Sequence, residues 1–221
     1  MDAPAPRVER HPLEALQRGA VMFTHPVARR IDWTPLHHGG PNIRNASLAE
    51  TGEGRWSVRP SLQAWAFALL FVGMGAAMLA RSVFDGGIGW PVAAGAALFI
   101  AGGLASITFV PRWRIDPARG RLWRRDRPFG AVHELRIADV VALQLLPEWV
   151  VAQRTRYFSY ELNLVLADGE RVGLMEHGAH HALLADALRL ASVLQVPLWE
   201  AEAGRPPGLL NRLLSPPGRD R

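Results

Sequence analysis

Four side chains that can bind a metal ion or carry a proton lie close together in the last quarter of the chain. They are Glu176, His177, His180 and His181. Histidines three or four residues apart share one face of a helix, so His177 with either His180 or His181 could present two nitrogens to zinc. The alternative is a strand-to-helix turn filled with polar residues, because the glutamate placement of H-E-x-x-H is missing. We assign no metal site here, and metal-dependent hydrolysis at this cluster stays a minor alternative.

A run of arginines follows the second of two apolar stretches. Its members are Arg112, Arg114, Arg119, Arg121, Arg124 and Arg125. Directly beneath a bilayer, such a run could bind an anionic lipid headgroup or a phosphate. The alternative is that these arginines only satisfy the excess of basic residues on the cytoplasmic side of membrane proteins.

The basic residues are unusual in kind. All 25 are arginine and lysine is absent, a bias that is typical of a GC-rich bacterial genome. The net charge of +5 then partly reflects codon usage, so we infer no specific nucleic-acid partner from it.

Familiar catalytic motifs are absent from the sequence. The chain has no cysteine, which excludes disulfides, thiolate metal sites and cysteine nucleophiles. It has no G-x-S-x-G elbow, Walker loop or Rossmann glycine run. We therefore predict a protein that is not an enzyme and holds no cofactor.

Two long apolar stretches predict a transmembrane helical hairpin over residues 62–110. Residues 62–80 and 88–110 are each long enough to cross the hydrocarbon layer, and Asp85, Gly86 and Gly87 supply the turn between them. Basic residues crowd the outer flanks of both stretches, whereas the turn has Arg81 alone. The positive-inside bias therefore predicts a multi-pass protein of the bacterial inner membrane with both termini in the cytoplasm.

Small residues recur at four-residue spacing in both stretches, which permits close approach of helix backbones in lipid. The members are Gly73 and Ala77 in the first, and Ala93, Ala97, Ala101, Ala105, Gly102 and Ser106 in the second. One interpretation is that they pack the hairpin on itself. The other is that they dock another membrane subunit.

Alternating apolar residues flank the hairpin and predict strands. Residues 55–60 form a possible first strand, and six more follow at 112–116, 121–125, 133–137, 140–146, 160–166 and 171–176. Asp168-Gly169 predicts the tightest turn. Apolar residues at helical spacing then predict one helix over residues 180–194. The fold class is thus a membrane α-helical hairpin plus a mostly β, α+β domain of about seven antiparallel strands closed by one carboxy-terminal helix.

This order of elements, with the segment SYELNLVLADGERVGLMEHG, resembles the bacterial pleckstrin-homology-like membrane proteins. The resemblance covers residues 54–200 and rests on element order more than on motifs. It implies a PH-like cytoplasmic domain over residues 111–200, with the hairpin inserted after the first strand. One departure is that Trp199 lies beyond the closing helix, whereas pleckstrin-homology domains usually carry a tryptophan inside it.

The two ends have the composition of irregular chain. We expect residues 1–54 to be a partly ordered cytoplasmic segment and residues 201–221 to be a flexible Pro- and Arg-rich tail. The expected function is binding or scaffolding, as an accessory subunit or assembly factor of an inner-membrane complex. Its expected partners are membrane lipids and other membrane protein subunits. Sensing of anionic lipid is the alternative.

Overall fold

The fold combines two long apolar helices with a domain made mostly of strands. The computed structural model describes residues 25–52, 54–87, 89–108, 110–125, 130–151 and 155–201. Within these ranges the strands number nine and form two sheets, where the sequence predicts about seven. The predictions for residues 1–24 and 202–221 lie outside the described residues.

The first sheet has five antiparallel strands in chain order, β1-β2-β3-β4-β5. Their bounds are Ala46–Gly52, Arg55–Pro60, Trp113–Asp116, Arg121–Arg125 and Val132–Arg136. The second sheet has four strands in the order β8-β7-β6-β9. Their bounds are Arg171–His177 for β8, Arg156–Leu166 for β7, Val140–Val151 for β6 and Leu198–Glu200 for β9.

Three α-helices complete the fold: α1 at Leu62–Phe84, α2 at Trp90–Thr108 and α3 at His180–Leu194. Short 3-10 helices lie at Pro26–Arg29 and Ile137–Asp139. The helix predicted over residues 180–194 is confirmed. It ends at Gln195, whose φ of 55° closes the helix in the left-handed conformation.

The α1–α2 hairpin is inserted between two hydrogen-bonded strands. Strand β2 pairs with β3, with Trp56 opposite Ile115, so the predicted strand at residues 55–60 is confirmed. The hairpin follows the second strand rather than the first, because β1 precedes β2. Ser61 alone separates β2 from α1. Its side chain caps the helix by accepting from the Ala64 N–H at 3.1 Å, and its own N–H donates to the Asn45 carbonyl at 2.9 Å. The first turn of α1 is therefore tied directly to the sheet.

Both hairpin helices are long and apolar enough to cross a membrane. Only 17% of the most apolar window of each is buried, so neither resembles the core helix of a soluble protein. The helices meet where glycine lets backbones approach. A methyl group on Gly75 would lie 2.7 Å from the Ala96 carbonyl oxygen, and one on Gly103 would lie 2.8 Å from the Ala68 carbonyl oxygen.

The main core lies between the two sheets and under α3. Trp113 and Leu122 come from the first sheet, Leu162 and Leu174 from the second, and Leu183 from the helix, and all are fully buried. The Trp113 indole N–H donates to the Gly173 carbonyl at 3.1 Å, which joins the two sheets across this core. The inner faces of the two sheets therefore meet at this core, and the outer face of each sheet points away from the other sheet.

The strands β1 and β9 are absent from the prediction. Strand β1 pairs with β2 over its whole length, whereas β9 runs parallel to β6 with Trp199 opposite Gln144. Neither segment alternates strongly on its own, and β9 has only three residues. Strand β1 forms a hairpin with the adjacent β2, whereas β9 is extended because it pairs with the distant β6.

Candidate functional site

Three glutamates line the outer face of the second sheet, one from each of its three long strands. They are Glu148 in β6, Glu161 in β7 and Glu176 in β8. Glu161 lies directly opposite Glu176 in the antiparallel pair. Glu161 is buried although it points away from the main core. A buried face with acidic side chains requires a covering segment that supplies donors.

The covering segment is residues 32–42, which we name the strap. Its main-chain N–H groups bind two of the glutamates. The N–H groups of Leu36 and His37 donate to the Glu161 carboxylate at 2.9–3.2 Å. Those of Gly39 and Gly40 donate to the Glu148 carboxylate at 3.0–3.2 Å. Each carboxylate therefore accepts the main-chain hydrogen bonds that a neighbouring strand would accept if the strap were paired in a sheet.

Side chains from the sheet hold the strap carbonyl groups in turn. Gln144 donates to the Asp32 carbonyl at 3.0 Å, and Arg171 donates to the Thr34 carbonyl at 2.7 Å. At the other end Tyr157 donates to the Gly40 carbonyl at 2.9 Å, and Ser159 donates to the Pro41 carbonyl at 3.1 Å. The strap is thus bound along its length through its own main chain.

An apolar cluster anchors the start of the strap. Trp33 is buried beside Trp199 of β9, with ring centroids 6.4 Å apart. Its indole N–H donates to the Ala28 carbonyl at 3.0 Å. Ala142 and Val165 close the same cluster from β6 and β7. Trp199, which the sequence places beyond the closing helix, therefore helps to hold the strap.

Of the three glutamates, Glu176 has the fewest hydrogen-bond donors to stabilise a negative charge. Burial, together with the neighbouring Glu161 and Glu148 carboxylates, raises its pKa to about 7, although the hydrogen bond with Ser159 acts in the opposite direction. Its Oε1 atom has no hydrogen-bond partner among the residues that the structure describes. The main chain of Gly40 lies against it so closely that a methyl group there would overlap Oε1.

His177 follows Glu176 in β8 and is fully buried. Burial lowers its pKa to about 4, and the nearby Arg44 guanidinium acts in the same direction. Its Nδ1 atom accepts from the Ala179 N–H at 3.2 Å. The imidazole is therefore neutral near pH 7.

The predicted histidine cluster does not converge on one point. His177 faces the interior, whereas His180 Nε2 lies 3.2 Å from Glu200 Oε1 and its ring packs on Tyr160 and on His181. Across the described part of the chain, no three His, Asp or Glu side chains come together so as to hold a metal ion. The two-nitrogen interpretation of His177 with His180 or His181 is wrong, because strand alternation turns His177 inward.

The six predicted arginines divide into two groups by their position along the first sheet. Strand β3 leads away from α2, so Arg112 lies next to the helix and Arg119 lies in the turn at the far end. Arg121 pairs in register with Asp116 at that far end, whereas Arg125 lies back at the helix end of β4. At about 3.3 Å per residue, the two ends are roughly 10 Å apart. Arg119 and Arg121 therefore lie farther from the hairpin than the other four arginines do. That all six lie immediately beneath a membrane stays a prediction.

The two groups also differ in charge pairing. At the far end Arg119 lies 3.7 Å from Asp116, and Arg121 donates to Glu134 at 2.9 Å. Arg124 packs over the Trp113 ring, 5.1 Å from its centroid. At the helix end the exposed arginines are Arg59, Arg112, Arg114 and Arg125. Among the described residues, none of these four forms an ion pair with an acidic side chain.

The small residues predicted to pack helices lie mostly on outer faces of the hairpin. Gly73, Ala77, Ala97, Ala101 and Gly102 are exposed, whereas Ala93, Ala105 and Ser106 are partly buried. A methyl group on Gly73 would have no neighbour within 4 Å. The contact within the hairpin runs instead through Gly75, Gly103 and Ala96. The interpretation that Gly73 and Ala77 close the hairpin on itself is therefore wrong.

Comparison with known proteins does not assign this chain to a family. Searches of protein-family models, of curated protein sequences and of solved structures found no match to this chain. The resemblance to pleckstrin-homology-like membrane proteins stays a prediction.

The sequence carried a signal for part of this site. In β7 the alternation of Leu162 and Leu164 with Glu161 and Asn163 predicts two faces, one of them polar. The burial of that polar face was not predictable, because the strap that covers it is more than a hundred residues away in the chain. Glu148 lies in β6 two residues beyond the predicted strand end at 146, because the strand continues to Val151.

Proposed function

We propose that this chain is a non-enzymatic, membrane-anchored binding protein. Its role is that of an accessory subunit or assembly factor of a bacterial inner-membrane complex, with both termini in the cytoplasm. The observation that carries the proposal is the insertion of α1 and α2 between the paired strands β2 and β3. A single flexible linker would let the domain turn freely, whereas two tethers at adjacent strands hold it in one orientation.

A fixed orientation suits a protein that presents one surface to a partner in the same membrane. The outer surface of α1 supports this role, because Gly73 and Ala77 leave a shallow strip beside the large exposed side chains Leu69 and Leu70. Small residues allow a second helix to approach closely in lipid, where van der Waals contact stabilises helix pairs. We assign this strip to a partner helix.

Single-cysteine crosslinking in native membranes tests the assignment. The chain has no cysteine of its own, so each engineered thiol reports on one position. We expect Ala77→Cys to crosslink to another membrane subunit, and Ala96→Cys, which lies inside the hairpin contact, to give none. If Ala77→Cys yields no crosslinked species when the protein is expressed at its native level, the accessory-subunit proposal is wrong.

Recognition of anionic lipid is the second candidate, and a specific observation favours it. Arg59, Arg112, Arg114 and Arg125 lie at the helix end of the first sheet and form no ion pair with a described acidic residue. Arginines near the headgroup region of an anionic bilayer each contribute about 1 kcal/mol of attraction. The far-end arginines, by contrast, are neutralised by Asp116 and Glu134.

The division of the arginines provides a matched control for the lipid test. The triple change Arg59→Gln, Arg112→Gln and Arg125→Gln should remove most of the anionic lipid that co-purifies in mild detergent. The double change Arg119→Gln and Arg121→Gln should leave it in place. Native mass spectrometry counts the lipids retained by the full chain, and equal retention in both variants would contradict lipid recognition at the helix end.

A further inference from the structure

The strap covers three acidic side chains but supplies main-chain donors to only two of them. Glu161 and Glu148 each accept from two strap N–H groups, whereas Glu176 Oε1 accepts from no described residue. We propose that the strap is a pH-sensitive latch. It lies closed on the second sheet while Glu176 is protonated, and it loosens when Glu176 ionises. This inference is independent of the proposed function.

The closed arrangement disfavours a third negative charge. Glu161 lies opposite Glu176 across the β7–β8 pair, and Glu148 lies one strand further on. Both carboxylates already accept hydrogen bonds from the strap. An ionised Glu176 would add a like charge beside them and would have no donor for its buried Oε1.

Gly40 couples the charge of Glu176 to the position of the strap. Its main chain lies against both Glu176 and Ser159, so that a methyl group on Gly40 would overlap the Ser159 hydroxyl oxygen as well as Glu176 Oε1. Water cannot reach Oε1 from this side while the strap is closed. Hydration of an ionised Glu176 therefore requires the strap to lift at Gly40.

Three other charged or titratable groups lie around Glu176, on three different segments. They are Glu161 on β7, Glu148 on β6 and His38 on the strap, whose Nδ1 atom lies 3.2 Å from Glu148 Oε1. His177 lies on the opposite face of β8 and does not face the strap.

The direction of the pH effect follows from the pKa of Glu176. Closure raises this pKa from 4.5 to about 7, and opening returns the group to water. The equilibrium constant for closure is then greatest below pH 4.5. It falls by up to about tenfold for each pH unit as the pH rises toward 7, and levels off above.

Hydrogen exchange of the full chain in detergent tests the latch. We expect protection of the Leu36, His37, Gly39 and Gly40 amides, corrected for intrinsic exchange, to fall by up to about tenfold per unit from about pH 5.5 to about pH 7. Glu176→Gln is a neutral isostere of the protonated side chain. In that variant the strap amides should stay protected across the whole range.

Two comparisons make the result decisive. Amides of the core strands, such as Leu145 and Leu164, should keep the same protection in both proteins, which shows that Glu176→Gln folds normally. His38→Gln should retain the pH dependence. A strap protection that does not change with pH in the unaltered protein would overturn the latch. A dependence that survives in Glu176→Gln and disappears in His38→Gln would overturn it as well.

Discussion

Glu176 and His177 are consecutive residues of β8 whose side chains lie on opposite faces of the sheet. Glu176 lies under the strap, and His177 is buried on the core side near Arg44. The pKa of Glu176 is raised to about 7, and that of His177 is lowered to about 4. Burial thus favours the neutral form of each side chain, and the two groups oppose each other in the pH dependence of stability.

His177 should make the protein sensitive to acid. Its folded pKa lies below its ordinary value of 6.5, so its contribution to stability is complete above pH 6.5 and is lost as the pH falls toward 4. Protonation of Glu176 stabilises the folded protein as the pH falls through part of the same range. The test is therefore made in the Glu176→Gln background, which removes that effect. There we expect the thermal midpoint to fall on acidification, and to fall less when His177→Gln is added. His181→Gln, at an exposed site, is the control and should not change the slope.

Gly40→Ala should loosen the strap without unfolding the domain. The added methyl group would overlap Glu176 Oε1, and overpacking of this kind costs about 1–3 kcal/mol. We expect faster cleavage by a protease between residues 32 and 42. Gly173→Ala is the matched control, because its methyl group would lie 3.8 Å from the nearest atom of Asn163. Equal cleavage of both variants would contradict the close contact at Gly40.

Two glycines of the same hairpin helix, one buried and one exposed, provide a matched pair of variants. Gly75→Ala would put a methyl group 2.7 Å from the Ala96 carbonyl oxygen, whereas Gly73→Ala meets nothing within 4 Å. We expect Gly75→Ala to lower the free energy of unfolding in detergent by about 1–3 kcal/mol. Gly73→Ala should be neutral or slightly stabilising, since alanine favours helix over glycine by about 1 kcal/mol. A greater loss from Gly73→Ala would mean that the helices meet on other faces.

Asp186 of α3 should be the most sensitive acidic residue in the core. It is 3% exposed, and its Oδ2 atom accepts from Arg44 at 3.1 Å and from the Leu48 N–H at 3.2 Å. Arg44 itself is 36% exposed, so the loss is that of hydrogen bonds to a buried carboxylate, and Asp186→Asn should lower the free energy of unfolding by about 1.5–3 kcal/mol. Asp139→Asn breaks the exposed pair with Arg136 and should change stability by less than about 1 kcal/mol. Comparable losses in the two variants would contradict the burial of the Asp186 carboxylate.

Elements with a local sequence signal are predictable without the tertiary structure. The apolar stretches 62–80 and 88–110 predict α1 and α2, the spacing of Leu183, Ala187 and Leu190 predicts α3, and the turn at Asp168-Gly169 predicts the β7–β8 hairpin. Each depends on periodicity or turn chemistry within a short window, which side-chain sequence alone specifies. The alternation in residues 55–60 was enough to predict that the hairpin interrupts the sheet.

The tertiary structure alone decided what these elements bring together. Strand β9 and the strap are held by contacts with residues that are distant in the chain, and no local pattern marks them. The charge state of Glu176 depends on Glu161, Glu148 and the main chain of Gly40, which lie on three other segments. The arginines divide into a paired and an unpaired group only because β3 and β4 reverse direction. Burial and electrostatic interactions act through space, so their outcome appears only when the chain is folded.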